Sequence, residues 1–387
     1  MPNYCWVSLA FLDSACSILK KLCYAACMIN TDSTNTVFSL GELYCGPGGM
    51  ASGILKAQSS DGKYRVEHEW ASDIDADSCA TYIHNICSDH PETVINCNVK
   101  KLNIKTLKPI TAFAYGFPCN SFSKVGKHDG MENVTYGQLY WYGVQILQFF
   151  KPAWFIAENV SGILSTGTND FKQIRDDLKD AGYKLYIHHY HSEDYGIPQT
   201  RHRVIIVGIN KDLDVEFKVP SPEPYKDIDI SAGTALSSIS PDAPNNEPGR
   251  TSDIIRRRLE LIEPGQNIWQ AMQKENFPEE LKIKQAVPIS TIYKKLDPNK
   301  PSYTITANGG GGTQGYHWEN RILTNRERAK LQSFPDDYFF EGNFRSVRKQ
   351  IGMAVPPKLA EIITDAILNS FAGIEYPSVP ANLGVYE

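Results

Sequence analysis

The sequence predicts an α/β protein built on a doubly wound parallel sheet with a smaller irregular region after it, and three observations predict this. Residues 37–210 alternate short apolar runs with amphipathic stretches. A glycine-rich turn follows the first apolar run, and prolines crowd the interval 211–300, where the alternation stops. The 387 residues, 42% hydrophobic and 21% charged, suit a globular chain with two cores rather than one.

Taken in order, the candidate strands are Val37–Tyr44, Arg65–Ser72, Ile110–Tyr115, Ala153–Ala157, Tyr183–Tyr190 and Val204–Ile209. Near-continuous apolar runs of this length fit strands covered on both faces. Cys45-Gly46-Pro47-Gly48-Gly49 closes the first strand and opens a helix expected over Met50–Ala57. From Pro220 to Pro264 seven prolines interrupt regular structure, and Asn308–Gly312 reads as a hinge. Leu323–Leu331 and Pro357–Leu368 are expected as helices that return to the first domain. The expected organisation is an extension over 1–36, a first domain over 37–210, a second domain with hinge over 211–315, and a returning segment over 316–387.

Bulk properties narrow the classes. All nine cysteines lie at or before position 119, without paired CxxC clusters, so neither a disulfide framework nor a metal site is expected and a reducing cytoplasm fits. No stretch reaches 18 apolar residues, so no membrane span is expected. Residues 5–29 are apolar, but Lys20-Lys21 follows the apolar part instead of preceding it, the reverse of a signal peptide. This segment reads as a non-functional extension or peripheral helix, with Met28 as an alternative start. The net charge is −5, yet residues 250–349 carry 17 Lys+Arg against 12 Asp+Glu, which allows a phosphate-facing surface there.

Four segments carry chemistry. Cys119, in Gly116-Phe117-Pro118-Cys119-Asn120-Ser121, follows the third candidate strand, where the carboxyl end of a sheet strand faces the crevice of an open α/β fold. It is a candidate nucleophile, or else a buried structural thiol. The turn after Tyr44 lets backbone amides approach a ligand, though it lacks full GxGxxG spacing and any GK[ST]. Asp73, ending the next strand, suits ribose hydroxyls, with Ile74 as an apolar surface for an adenine; a capping Asp is the other reading. Glu158, in Trp154-Phe155-Ile156-Ala157-Glu158-Asn159-Val160, leaves an apolar strand into a protected crevice and suits proton donation, or an N-cap network. In Gln199-Thr200-Arg201-His202-Arg203, alternation points Gln199, Arg201 and Arg203 together, a donor set for a base carbonyl or a phosphate.

These segments, in this order, resemble the cytosine-C5 DNA methyltransferases from about residue 37 to 368. Gly116-Phe117-Pro118-Cys119 resembles the family's catalytic Pro-Cys motif, Glu158-Asn159-Val160 its Glu-Asn-Val motif, and Gln199 to Arg203 its Gln-x-Arg-x-Arg motif. Arg321–Asp336 resembles the scaffold segment after the recognition region, and Gly352-Met353-Ala354-Val355-Pro356-Pro357 the closing cofactor motif. The resemblance implies a class I methyltransferase fold, Rossmann-like, with a smaller target-recognition domain over 211–315. It implies methyl transfer from S-adenosylmethionine to C5 of a cytosine flipped from specific duplex DNA, through a covalent bond from Cys119 to C6.

In that scheme Cys119, Glu158, Arg201 and Arg203 are catalytic, Glu158 at N3 and the exocyclic amine, Arg203 at O2 and Arg201 supporting the loop or substrate. Tyr44, Gly46, Pro47 and Gly48 face the methionine part of the cofactor, Asp73 the ribose, Ile74 the adenine and Asn98 its amine, with Pro118, Leu139 and Val355 around the sulfonium. Gln199, Ser123, Thr304 and Thr306 are the substrate contacts, and Ser121–Gly137 the loop that closes over the base. Arg250, Arg256 to Arg258, Lys282, Lys284, Lys294 and Lys295 are candidate DNA contacts. The chain departs from the family pattern at Asn120 for Gln, Asn98 for Asp, Ile74 for Trp, Met353 for Asn and Tyr136 for Arg. The implied setting is cytoplasmic and monomeric, with a separate restriction endonuclease. The alternatives are a tRNA cytosine-C5 methyltransferase of the same family or a catalytically silent DNA-binding relative.

Overall fold

The apolar runs become the strands of one sheet because both of its faces are covered. The computed structural model describes residues 30–32, 35–118, 139–164, 169–284, 290–307, 312–313 and 315–387. Cys119, Asn120, Ser123, Tyr136 and the loop expected to close over the base lie outside these residues. Strand β1 (Asn30–Asp32) pairs antiparallel with the start of β2 (Asn35–Leu43). There follow β3 (Tyr64–Asp73), β4 (Val94–Asn96), β5 (Ala112–Tyr115), β6 (Trp154–Val160), β7 (Tyr183–His191), β8 (Gln199–Thr200) and β9 (His202–Asn210). Later come β10 (Val219–Pro220), β11 (Ser302–Tyr303), β12 (Ser378–Val379) and β13 (Val385–Tyr386). The large sheet runs β13-β7-β9-β6-β5-β2-β3-β4.

The expectation of a parallel sheet is corrected: β1 on β2 and β13 on β7 are antiparallel pairings at its margins, and one internal strand is reversed. Strands β4, β3, β2, β5 and β6 are parallel, but β9 runs antiparallel to both β6 and β7. The reason is the connection: between His191 and His202 the chain has only a short 3-10 turn, Ser192–Tyr195, and β8, too little for a crossover helix. The chain therefore turns back and inserts β9 between two strands that share one direction.

One face of the sheet packs on α1 (Gly49–Ile54), α2 (Ala76–Ile86) and the C-terminal α10 (Pro357–Ala372), burying Phe38, Leu40, Trp154, Ile156, Ile205 and Val207 with Leu359, Ile363 and Ile367. The other packs on α3 (Leu139–Phe150) and α4 (Asn169–Asp180), burying Phe113, Tyr115, Phe155, Ile187, Val204 and Ile206. The 357–372 helix lies against the former face through Leu359, Ile363 and Ile367. The interval 211–300 is short helices and turns: α5 (Ala232–Ser237), α6 (Asp253–Glu260) and α7 (Ile268–Met272). Leu259, Ile262, Ile268, Phe277, Ile292 and Tyr316 make a separate core there. This segment leaves and re-enters at one place, where Ala232 N donates to Lys300 O and Gly233 N to Pro298 O, both at 2.8 Å. Helices α8 (Asn325–Leu331) and α9 (Phe344–Met353) share a third core with Ala232, Leu296 and Ile305. Among the described residues no helix is long and apolar enough to cross a membrane.

Two packing details yield tests. A Cβ on Gly53 would lie 2.1 Å from Pro357 O and 2.7 Å from Glu361 N, so α1 and α10 touch main chain to main chain. Gly53→Ala should cost about 3 kcal/mol of stability, read as a lowered denaturant midpoint. Asp365, on α10, is pushed up to about 6 by burial, against a hydrogen bond from Gln58 N at 2.9 Å. A carboxyl raised in the folded state destabilises progressively as pH climbs from its unfolded value to about 6 and by a constant amount above that. Asp365→Asn should flatten the pH dependence of Tm in that window and raise Tm at neutral pH.

Candidate active site

The carboxyl ends of the parallel strands open on a cavity of about 280 Å³. Its walls are Leu43 and Tyr44 after β2, Ser72, Asp73 and Ile74 at the end of β3, Cys97 to Lys100 after β4, Pro118 after β5, and Leu139 at the start of α3. That is the crevice position where open α/β sheets bind ligands. The turn after β2 carries three positive φ values, Tyr44 at 56°, Gly46 at 52° and Gly48 at 85°. A Cβ on Gly46 would meet nothing within 4 Å, so open space lies before that turn, whereas one on Gly48 would press on the Tyr338 hydroxyl at 2.8 Å. Asp73 joins the two strand ends: Oδ2 accepts from Gly46 N and Oδ1 from Asp75 N, both at 2.9 Å. Burial raises its carboxyl, partly offset by these amides.

Of the residues expected around a cofactor, Tyr44, Asp73, Ile74, Asn98, Pro118 and Leu139 line the cavity. Gly46 faces the open space before the turn, while Pro47, Gly48 and Val355 are framework: Val355 is buried, its carbonyl would lie 2.5 Å from a Cβ on Gly49, and Pro47 O accepts from Tyr338. Tyr44 donates to Leu139 O at 2.8 Å, tying two walls together. The Asn98 side-chain oxygen already accepts from Lys100 N at 3.0 Å and keeps one lone pair. Leu43, Ser72, Cys97, Val99 and Lys100 also line the cavity without having been singled out in the sequence. Leu43 and Ser72 directly precede singled-out strand ends, so that rule could have reached them; Val99 and Lys100 sit in a single 3-10 turn with no such signal.

A second group lies one strand further along. Glu158 on β6 and Arg203 on β9 meet with Oε1 2.7 Å from Nε, an ion pair whose N–H points outside hydrogen-bonding geometry. Both side chains are about nine-tenths buried. Arg203 Nη1 donates to His202 O at 2.7 Å. Burial lowers the Arg203 guanidinium and the Glu158 carboxylate opposes it. Glu158 Oε2 would lie 3.3 Å from a Cβ on Gly116, so the glycine leaves room beside the carboxylate. Asn159 donates to Phe117 O at 3.4 Å. The Gly116-Phe117-Pro118 segment, which leads into Cys119, therefore has the cavity on one side and Glu158 on the other.

Several of the expected contact residues have partners within the protein. Gln199, expected on the substrate, is fully buried: Nε2 donates to Leu331 O at 3.1 Å and Gln332 Oε1 at 2.7 Å, while Oε1 accepts from Ile305 N at 2.9 Å. Arg201, 1% exposed, donates to Ile305 O, Gly352 O and Ala354 O at 3.2, 3.3 and 2.8 Å, so its guanidinium is directed at main chain and not at a ligand. Thr304 donates to Thr200 O at 2.7 Å beside the parallel β8–β11 pair, and Thr306 is exposed. Lys295, a candidate DNA contact, is buried and donates to Leu259 O, Ile262 O and Asn320 Oδ1. Arg258 likewise bonds Leu281 O and the Tyr293 hydroxyl. Arg256 and Arg257 are exposed in ion pairs with Asp253 and Glu280.

A crevice at the carboxyl ends of parallel strands, a glycine turn, an acidic second-strand end and a reversed internal strand between β6 and β7 define the class I methyltransferase fold. A DNA modification methyltransferase encoded within a prophage of E. coli has this fold, with a TM-score of 0.64 at 21% identity over 86% of this chain and 99% of that one. The family description "C-5 cytosine-specific DNA methylase" matches residues 38–369, and the chain belongs to that family of enzymes. It is 50% identical to the Type II methyltransferase M.BbvI of Brevibacillus brevis, over 88% of this chain and 94% of that protein. It is 35% identical to the Type II methyltransferase M.NgoFVII of Neisseria gonorrhoeae, over 89% and 90%.

Arg201→Met should remove the donors of three buried carbonyls and lower stability by about 3 kcal/mol or more, measured by chemical denaturation. Arg201→Lys should recover only part, since a compact ammonium cannot reproduce the guanidinium fork.

Proposed function

We propose that this chain methylates C5 of one cytosine within a specific duplex DNA sequence, with S-adenosylmethionine as donor, acting as a cytoplasmic monomer alongside a separate endonuclease of matching specificity. The observation that carries the proposal is the Glu158–Arg203 pair at 2.7 Å beside the Gly116-Phe117-Pro118 segment. A cytosine presents N3 and its amine next to O2, and a carboxyl adjacent to a guanidinium matches those neighbouring groups. The Type II methyltransferases it resembles support the restriction-modification setting.

Cys119 is the nucleophile in this scheme: its thiolate adds to C6, and the new bond turns C5 into an enamine-like carbon. Glu158 gives a proton to N3 as charge develops there, and Arg203 holds O2. When bound, S-adenosylmethionine supplies an electrophilic methyl group. Loss of the C5 proton then expels Cys119 and restores the aromatic ring. Reaching C6 requires the base to leave the stack.

The cavity fits the donor. Asp73 would take the ribose hydroxyls, Ile74 the adenine face and Asn98 its amine, while the open space before Gly46 suits the methionine part beside Tyr44. Pro118 and Leu139 would border the sulfonium, with Val355 behind. The 211–315 region is the recognition domain in this scheme, with Arg250, Arg256, Arg257, Lys282, Lys284 and Lys294 as its remaining cationic candidates and Thr304 and Thr306 near the flipped nucleotide.

Transfer of labelled methyl to duplex DNA should fall to background in Cys119→Ser and by about 10²- to 10⁴-fold in Glu158→Gln. DNA containing 5-fluorocytosine should trap the wild-type chain covalently. Undiminished transfer by Cys119→Ser would sink the scheme, greater transfer to tRNA than to DNA would move it to RNA, and absence of both transfer and adduct would leave a silent relative.

A further inference from the structure

Strand pairing brings three imidazoles together on the sheet face opposite Arg203. Alternation along β7 puts His189 and His191 on the side that buries Tyr183, Leu185 and Ile187, and the same alternation on β9 puts His202 on the side of Val204 and Ile206. The register sets His191 directly across from His202 and His189 across from Val204. Directly opposed antiparallel residues stand about 5 Å apart at Cβ, so the ladder itself gathers the rings. One nitrogen from each ring lies within 4.8 Å of the other two. His191 and His202 stack at 3.9 Å, with His189 edge-on to both.

One nitrogen of each ring faces an oxygen. Ser161 Oγ lies 2.8 Å from His189 Nε2, Glu193 Oε1 2.7 Å from His202 Nε2, and Asp194 Oδ2 3.6 Å from His191 Nδ1. Metal-bound histidines characteristically use the nitrogen away from the metal in this way, which fixes tautomer and ring direction. All three rings are half-buried, so an ion can reach them and still lose most of its water.

We propose that His189, His191 and His202 form a binding site for a divalent transition metal of the zinc class. Three neutral imidazoles select Zn²⁺, Ni²⁺ or Cu²⁺ over Mg²⁺ or Ca²⁺, which prefer oxygen ligands. Zinc–nitrogen bonds of about 2.0–2.1 Å set tetrahedral ligand nitrogens roughly 3.4 Å apart, so the rings converge by side-chain rotation while the strands stay put. The ion would clamp the ends of β7 and β9. His202 O accepts from both Arg203 Nη1 at 2.7 Å and Ser161 Oγ at 3.1 Å, so the clamp bears on the main chain that carries Arg203.

The test uses the full chain free of any histidine tag and stripped of metal, titrated calorimetrically with ZnCl₂ and with MgCl₂. One equivalent of Zn²⁺ should bind, Mg²⁺ should not, and His191→Ala together with His202→Ala should weaken Zn²⁺ binding at least tenfold while far-UV circular dichroism stays unchanged. A readout without variants is modification by diethyl pyrocarbonate: Zn²⁺ should protect His189, His191 and His202 and leave the exposed His84 and His90 reactive. Absence of Zn²⁺ binding, binding untouched by the double substitution, or equal modification of the three histidines with and without Zn²⁺ would each overturn the proposal.

Discussion

Arg201 and Gln199 have almost no contact with solvent, and both aim their polar atoms at segments more than a hundred residues further along the chain. Buried donors of this kind are costly unless every one is matched. Here all but Arg201 Nε, which has no hydrogen-bond partner, are matched by carbonyls at Ile305, Leu331, Gly352 and Ala354 and by Gln332, which itself donates to Ile351 O and Ala354 O. The result is a buried polar knot that joins the hinge strand, the loop after α8 and the end of α9 to the strand edge from which Arg203 projects. Close packing reinforces it, since a Cβ on Gly352 would fall 2.1 Å from Ala307 N. The Glu158–Arg203 pair depends on this knot: Arg203 stands two residues beyond Arg201, and its burial requires the surrounding segments to be in place.

The sheet was largely legible in the sequence because its strands are covered on both faces and so appear as unbroken apolar runs, Ala112–Tyr115 and Trp154–Val160 above all. Strand direction was not legible in composition; it follows from the length of the connection before β9. Alternation brought Gln199, Arg201 and Arg203 to attention as one donor set, and Arg201 does feel both Arg203 and Glu158 electrostatically. What alternation could not contain was the identity of the partners, which come from distant positions such as Ala354 and Leu331. Charge misled for the same reason at Lys295 and Arg258: a cation on a surface and a cation closing carbonyls inside a small core have the same letter in the sequence.

The cavity wall was legible at Asp73 from its place at a strand end and at Tyr44 and Pro118 from the family resemblance, and not where a 3-10 turn shapes it, at Val99 and Lys100. The histidines illustrate the limit more sharply. Counting cysteines addressed one class of metal ligand, while His189, His191 and His202 become neighbours only through an antiparallel register between two strands.

The two main-chain hydrogen bonds that join Ala232 to Lys300 and Gly233 to Pro298 close the intervening stretch into a circuit, which Arg326 N on Asn245 O, Arg326 Nε on Pro244 O and Thr324 Oγ1 on Asn246 Oδ1 also hold to α8. Closing a longer circuit costs only about 0.6 kcal/mol per doubling of its length. Length changes within residues 234–297 are therefore cheapest away from Pro244 to Asn246, Thr251 and Leu296, whose contacts reach the segment 316–340. A Cβ on Gly233 would lie 2.7 Å from Pro298 O, so the point of closure leaves no room for a side chain there.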